Sequence, residues 1–304
     1  CGHEKAGWKG LIVAGFSFVF PAVIITSIFA WLYQEYGQLP KVEPFIYGIK
    51  PAVIAVIIMA AYRLGKKAIK NMQLAILGLI ALILCLSGIN EIITLLSCGL
   101  FGFVFYLFQQ KKNTLHSFIP FLLFQSNEQL NLSNLKIGLT FVKIGTILYG
   151  SGYVLFAFLD TELVANGWLT RQALIDAVAV GQITPGPVLS TATFIGWQLN
   201  GITGALVATI GIFLPSFIFV LILNPLMPKI RKSNIIRAVL DAVNVAAVAL
   251  IIAVCLNMAK DTLTDWRTIV IAIISLITVF GFKKLNSAFI VLEGSIFGFI
   301  LTYI

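Results

Sequence analysis

Seven residues, Gly181-Gln-Ile-Thr-Pro-Gly-Pro187, interrupt an apolar segment that runs from Ala173 to Leu199. Pro185 and Pro187 have no amide hydrogen, and each pushes its predecessor, Thr184 and Gly186, out of the helical region. Gly186 between them lets another group come close to the backbone. The spacing predicts two half-helices meeting at an extended loop, each about 11 residues and about 16 Å long. Pro187 suits a first helical turn, which leaves the amides of Val188, Leu189 and Ser190 without helical acceptors. Those amides, the helix dipole behind them and the hydroxyls of Ser190, Thr191 and Thr193 form a candidate anion site. Gln182 and Thr184 flank it on the other side of the break. A kink that binds nothing carries the same proline–glycine signature, and that alternative stays open.

Other polar residues stand in apolar surroundings. Lys143 lies one to two turns into an apolar helix, either as a counter-charge for an anion or snorkelling to the surface beside Lys136. Gly150-Ser151-Gly152 permits close helix packing or backbone approach to an anion. Lys50-Pro51 reads as a second break with a cation beside it. Asp160 and Glu162 are expected in an outer loop, and Asp176 in the first half-helix. Asp241 shares a helix face with Asn244 and has Arg237 as a near partner. Asp176, Asp241 and Glu162 are the carboxylates that could couple transport to an ion. His3 and His116 fall outside the apolar runs. No nucleophile–base set, phosphate loop or metal-ligand spacing appears, so the sequence gives no support to enzyme chemistry and implies no cofactor.

The elements that position these groups belong in a membrane. Hydrophobic residues make up 59% of the 304 and charged residues 11%, with a mean hydropathy of +1.00, a balance no soluble domain has. The net charge of +9 is spread between apolar runs, with no aromatic-interleaved basic patch, so nucleic acid is not an expected partner. The lipid bilayer is. Cys1, Cys85, Cys98 and Cys255 share no pairing or metal spacing. Apolar runs of spanning or near-spanning length fall at about 7–33, 45–62, 72–89, 92–108, 137–158, 201–224, 235–257, 268–282 and 286–304.

An internal repeat organises these runs. Gly7-Trp-Lys-Gly10, Val13-Ala14 and Pro21 match Gly201-Ile-Thr-Gly204, Val207-Ala208 and Pro215 at a constant offset of 194. The division expected is a first repeat over 1–108, a linker over 109–134 and a second repeat over 135–304. The copy of the proline–glycine loop in the first repeat would then precede Cys1, along with roughly 60 residues of that repeat. Placing Arg63, Lys66, Lys67 and Lys70 in the cytoplasm puts fifteen basic residues inside, Lys136 among them, against five outside. That alternation holds only if 173–199 enters and returns on one side. The fold class expected is therefore an all-α polytopic membrane protein. It is built of inverted repeats of transmembrane helices with re-entrant or broken half-helices.

Several stretches resemble the chromate ion transporter family. They are Leu135-Lys-Ile-Gly138, Gly150-Ser-Gly-Tyr-Val-Leu155, Glu162-Leu-Val164, Asp176-Ala-Val-Ala-Val-Gly-Gln-Ile-Thr-Pro-Gly-Pro187, Thr191-Ala-Thr-Phe-Ile-Gly196 and Gly211-Ile-Phe-Leu-Pro-Ser216. Gly48-Ile-Lys-Pro-Ala-Val-Ile-Ala55 is similar to the corresponding part of the first half. The resemblance implies export of chromate from the cytoplasm, with sulfate as the close structural analogue. The expected location is the bacterial cytoplasmic membrane, with a homodimer as a candidate assembly. A non-transporting membrane scaffold, and a same-fold transporter of another anion or a lipid head group, are the alternatives.

Overall fold

The computed structural model describes residues 2–37, 39–109, 133–148, 151–184, 186–282 and 285–303. Gly150, Pro185, most of the linker, His116 and Lys283–Lys284 lie outside the described residues. Among the described residues the chain is helical throughout, and it is an all-α polytopic membrane protein. The helices are α1 (Gly2–Tyr36), α2 (Glu43–Ala68), α3 (Met72–Leu86), α4 (Glu91–Gln109), α5 (Asn134–Ile147) and α6 (Leu155–Leu159). They continue with α7 (Arg171–Ile183), α8 (Thr191–Leu223), α9 (Met227–Lys232), α10 (Asn234–Thr262), α11 (Trp266–Gly281) and α12 (Ser287–Thr302). By length and composition alone, four helical stretches, Ala6–Tyr36, Glu43–Ala68, Val188–Leu226 and Asn234–Thr262, are long and apolar enough to cross a membrane.

Side-chain placement follows from a lipid solvent. Ile12, Phe16, Ile76, Ile80, Ile210, Ile273, Ile277 and Ile296 face outward, while Thr26, Asp176, Gln182 and Thr191 are buried. Lipid offers apolar side chains nothing to escape from, so polar groups are what the packing gathers inward. α2 and α10 are the most buried of the long helices, and each packs on the other and on a different pair. α2 meets α11 and α12, and α10 meets α3 and α4. Glycine sets the spacing at these crossings. A methyl on Gly48 of α2 would fall 2.1 Å from the Gly294 carbonyl oxygen, and one on Gly102 of α4 would fall 2.6 Å from the Ala242 Cβ of α10.

α8 contains a reversal. Asn200 (φ −153°, ψ 41°) and Gly201 (φ 56°, ψ −148°) leave helical geometry, and the positive φ there favours glycine. Thr193 Oγ1 lies 2.8 Å from Thr209 Oγ1, although sixteen residues of straight helix would separate them by about 24 Å. The 191–200 arm therefore folds back along 202–223, with Gly196 and Gly204 in backbone contact. Ala6 (φ −143°, ψ 25°) and Gly7 (φ 58°, ψ −144°) adopt the same pair of conformations, 194 residues earlier.

The expected helix over 137–158 is not one span. α5 ends at Ile147, and the chain resumes as a 3-10 turn, Gly152–Val154, then α6 and a π turn, Asp160–Val164. The Lys143 ammonium sits 2.7 Å from the Glu162 carboxylate, and nineteen residues of straight helix would span about 28 Å. The chain has turned back between them. The apolar arms, α5 and 155–159, read in sequence as one run because no charged residue lies between them. Asp160 and Glu162 accordingly stand in the returning arm, not in an outer loop.

Two helical hairpins thus lie side by side, α5 with 152–164 and α7 with 191–200. Their open ends share one end of the bundle. Asn200 Nδ2 donates to Asn134 Oδ1 at 2.7 Å, and the Lys136 ammonium lies 5.2 Å from the centre of the Trp168 ring. Lys136 therefore stands at the end opposite Arg63–Lys70, not beside them as the charge pattern alone suggests. Arg171 at the start of α7 binds Asp160 (3.0 Å) and Asp261 (3.1 Å), and Thr161 hydrogen-bonds Glu91 at the head of α4. Each of α5 and α7 has 14 and 13 residues, about 20 Å of helix, short of a hydrocarbon core of about 30 Å. α2 runs unbroken through Pro51, so Lys50-Pro51 is not a second break.

Candidate functional site

The two hairpin tips meet. Thr184 is extended (ψ 133°), Pro187 is extended (ψ 140°), and a 3-10 turn, Val188–Ser190, leads into the returning arm. Helix is interrupted where the sequence places the proline pair. A methyl on Gly152 of the other tip would come 3.3 Å from the Val188 Cβ. Tyr153 OH donates to Gln182 Oε1 at 3.4 Å, joining the tips, and Ser287 of α12 donates to the Gln182 carbonyl at 3.3 Å.

The polar groups divide into those satisfied by the fold and those left over. Thr184 Oγ1 donates to the Gly181 carbonyl at 3.2 Å and lies 3.2 Å from Ser190 Oγ. Thr193 is taken by Thr209. The Ser190 amide bonds the Pro187 carbonyl at 2.9 Å, so one of the three amides expected to be free is used within the 3-10 turn. Gly186 is occupied too, since a methyl there would lie 2.4 Å from the Ala22 Cβ of α1; its missing side chain admits a helix. Thr191 Oγ1 and Gln182 Nε2 remain buried with no hydrogen-bond partner. Gln182 is tied to the other tip through Tyr153, and Thr191 Oγ1 faces Gly181 inside the second hairpin; buried donors of that kind call for a ligand or water. Sequence reasoning named both residues as part of a larger set, without a signal to separate them from it.

The charges sit around the tips in pairs. Lys143, expected beside the loop, is spent on Glu162. Asp176 is 4% exposed; the Tyr33 hydroxyl donates to its Oδ2 at 2.6 Å, and the Lys50 ammonium is 3.5 Å from its Oδ1. Asp241 pairs with Lys70 at 2.6 Å, not with its helix neighbour Arg237. Asp241, Asn244, Lys67, Lys70 and Ser151 line a cavity of about 230 Å³ that reaches the first tip from the end carrying Arg63–Lys70. Ser151 Oγ accepts from the Tyr153 amide at 3.3 Å, which leaves its proton available to donate. Among the described residues no cluster of His, Cys, Asp and Glu could hold a metal ion.

The family model described as chromate transporter matches residues 1–103 and 135–299. This chain belongs to the chromate transporter family. It is 31% identical over 305 residues to a chromate transport protein of Cupriavidus metallidurans, covering 96% of this chain and 75% of that protein. A probable chromate transport protein of Synechococcus elongatus is 32% identical over 310 residues, covering 98% and 79%. A chromate transport protein of Pseudomonas aeruginosa is 26% identical over 276 residues, covering 86% and 66%. No solved structure matches the chain. A family of membrane transporters suits buried neutral donors held inside a helical bundle.

Proposed function

We propose that the chain is a secondary transporter that carries chromate, and the similarly shaped sulfate, from the cytoplasm outward across the bacterial cytoplasmic membrane. The observation that carries this reading is the meeting of two broken hairpins at depth with Thr191 Oγ1 and Gln182 Nε2 unpartnered. A tetrahedral dianion loses hydration on entering the membrane and needs several donors in exchange. Neutral donors serve that need without holding the ion too tightly to release. The oxyanion is held by Thr191, Gln182 and Ser151, with the amides of Val188 and Leu189 as further donors. Gly152, Thr184, Gly186, Ser190 and Thr193 set the shape of the tips. Asp176, in contact with Lys50 and Tyr33, is the leading coupling carboxylate, with Glu162 and Asp241 bound into ion pairs nearer the two ends.

Two repeats, 1–108 and 135–304, form the frame of this reading and are related by a pseudo-two-fold axis in the membrane plane. Its support is the matched reversal at Ala6-Gly7 and Asn200-Gly201 and the exchange of partners between α2 and α10. The lysine-rich end of α2 faces the cytoplasm by charge bias. The test is uptake into everted membrane vesicles. Vesicles carrying the protein should accumulate chromate, and sulfate should compete. Accumulation no greater than in vesicles without the protein refutes the proposal.

A further inference from the structure

The cavity between α2, α10 and the first hairpin tip contains two lysines, an amide and a hydroxyl, and one carboxylate already in place. We propose that it is a capture site for divalent tetrahedral oxyanions, and that Asp241 is its built-in competitor. In the empty site the Asp241 carboxylate occupies Lys70, and an entering oxyanion takes Lys70 over. This inference rests on the transport reading above and adds where the ion first binds and what it must displace.

The geometry supplies the argument. The Lys70–Asp241 contact is 2.6 Å, with Lys70 53% and Asp241 21% exposed. A pair that wet is held weakly, so a ligand with twice the charge of a carboxylate can displace it. Lys67 on the last turn of α2 adds a second cation to the lining. Asn244, one turn along α10 from Asp241, adds an amide. Ser151 adds a hydroxyl whose lone pair is engaged by the Tyr153 amide. The cavity of about 230 Å³ equals about eight shares of liquid water, enough for a five-atom oxyanion that keeps part of its hydration. Ser151 belongs both to this lining and to the tip that Tyr153 ties to Gln182. The capture site therefore adjoins the tip whose Tyr153 contacts Gln182.

Asp241 is the residue that tells this site from a merely basic surface. Removing the competitor should tighten binding, and removing Lys70 should weaken it. The full chain, purified in detergent, is titrated with radiolabelled sulfate, with chloride as the monovalent control. Asp241→Asn should bind sulfate up to about fivefold more tightly than the parent, the scale of one exposed pair. Lys70→Gln should bind up to about fivefold more weakly, and Lys70→Arg should restore binding. In the Lys70→Gln/Asp241→Asn double variant the gain from Asp241→Asn should vanish, because the competition needs Lys70. Asp241→Asn binding that is unchanged or weaker overturns the competitor. Sulfate binding as tight in a Lys67→Gln/Lys70→Gln variant as in the parent overturns the site. A parent that moves chromate but shows no saturable sulfate binding also overturns the site while leaving the transport reading intact; a parent that moves none defeats the transport reading itself.

Discussion

Thr191→Val separates a ligand group from a structural one. The threonine is fully buried, and its Oγ1 finds no hydrogen-bond partner. Valine matches its shape and removes only the hydroxyl. In the empty protein the change deletes no internal hydrogen bond and relieves an unsatisfied buried group, so the fold should be unharmed or more stable, by as much as about 1–3 kcal/mol. With the oxyanion present the balance reverses. A hydrogen bond to a charged ligand contributes about 1.5–3 kcal/mol, so its loss should raise the apparent dissociation constant roughly 10- to 150-fold. Two assays read the two halves: a thermal midpoint in detergent without oxyanion, and the concentration dependence of chromate uptake in everted vesicles. The expected pair is an equal or higher midpoint with a much higher half-saturating concentration. A lower midpoint with unchanged uptake would show that Oγ1 has a structural partner, and the site between the tips would lose its main support.

Three further outcomes follow from contacts elsewhere. Gly186→Ala should lower the thermal midpoint, because the new methyl lies 2.4 Å from the Ala22 Cβ and overpacking of this kind costs about 1–3 kcal/mol; Ala22→Gly in the same chain should restore most of it. Lys143→Gln should destabilise more than the Lys143→Gln/Glu162→Gln double variant, since the single change strands Glu162, 13% exposed and 2.7 Å from its ammonium, without a cation. Equal midpoints for the two would show that the pair is not coupled. Asp265 caps α11 in a capping box with Thr268. Burial pushes its carboxyl up, but hydrogen bonds from the Tyr47 hydroxyl and the Thr268 amide outweigh that and hold it below the usual range. A depressed carboxylate contributes stability that is complete above its unfolded pKa of about 3.9 and is lost as pH falls through the folded value. Emission from Trp266, beside the cap and 59% exposed, should therefore change only below about pH 4, and Asp265→Asn should abolish that change.

How much of this was legible in the sequence depended on the range of the cause. The break at Pro185–Pro187 was readable because proline acts on its own residue and the one before it. The reversal between α5 and the arm from Gly152 was not, because both arms are apolar and the residues that prove the reversal, Lys143 and Glu162, meet only in space. The same limit misplaced the partner of Asp241. Arg237 is one helical turn away in sequence, yet Lys70, at the end of another helix, holds the carboxylate. Gly186 was expected to admit an anion and admits α1 instead, since an absent side chain signals closeness but not the identity of the neighbour. The reversal in α8 had a signature in Gly201, repeated at Gly7, which the 194-residue offset recorded as a match before its conformation could be known.

The pairing of charges bears on why the tips hold neutral donors. Lys143 meets Glu162, Lys50 meets Asp176 and Lys70 meets Asp241. An unpaired ammonium at depth would bind a dianion strongly, because the low dielectric magnifies their attraction, and a transporter that never releases its ion does not transport. Compensating each lysine with a carboxylate lowers that attraction while keeping the lysine available for exchange. The exchange is easiest where the pair is wet, as at Lys70, and hardest where it is dry, as at Lys50, whose partner Asp176 is 4% exposed. An oxyanion entering from the Lys70 end would thus meet an easily displaced carboxylate first. Next it would meet hydroxyl and amide donors between the tips, and the tightly held Asp176 lies on the hairpin arm beyond. On the proposed reading, that order of wet pair, neutral donors and dry pair would give a dianion a graded path in which no single station binds it too well to leave.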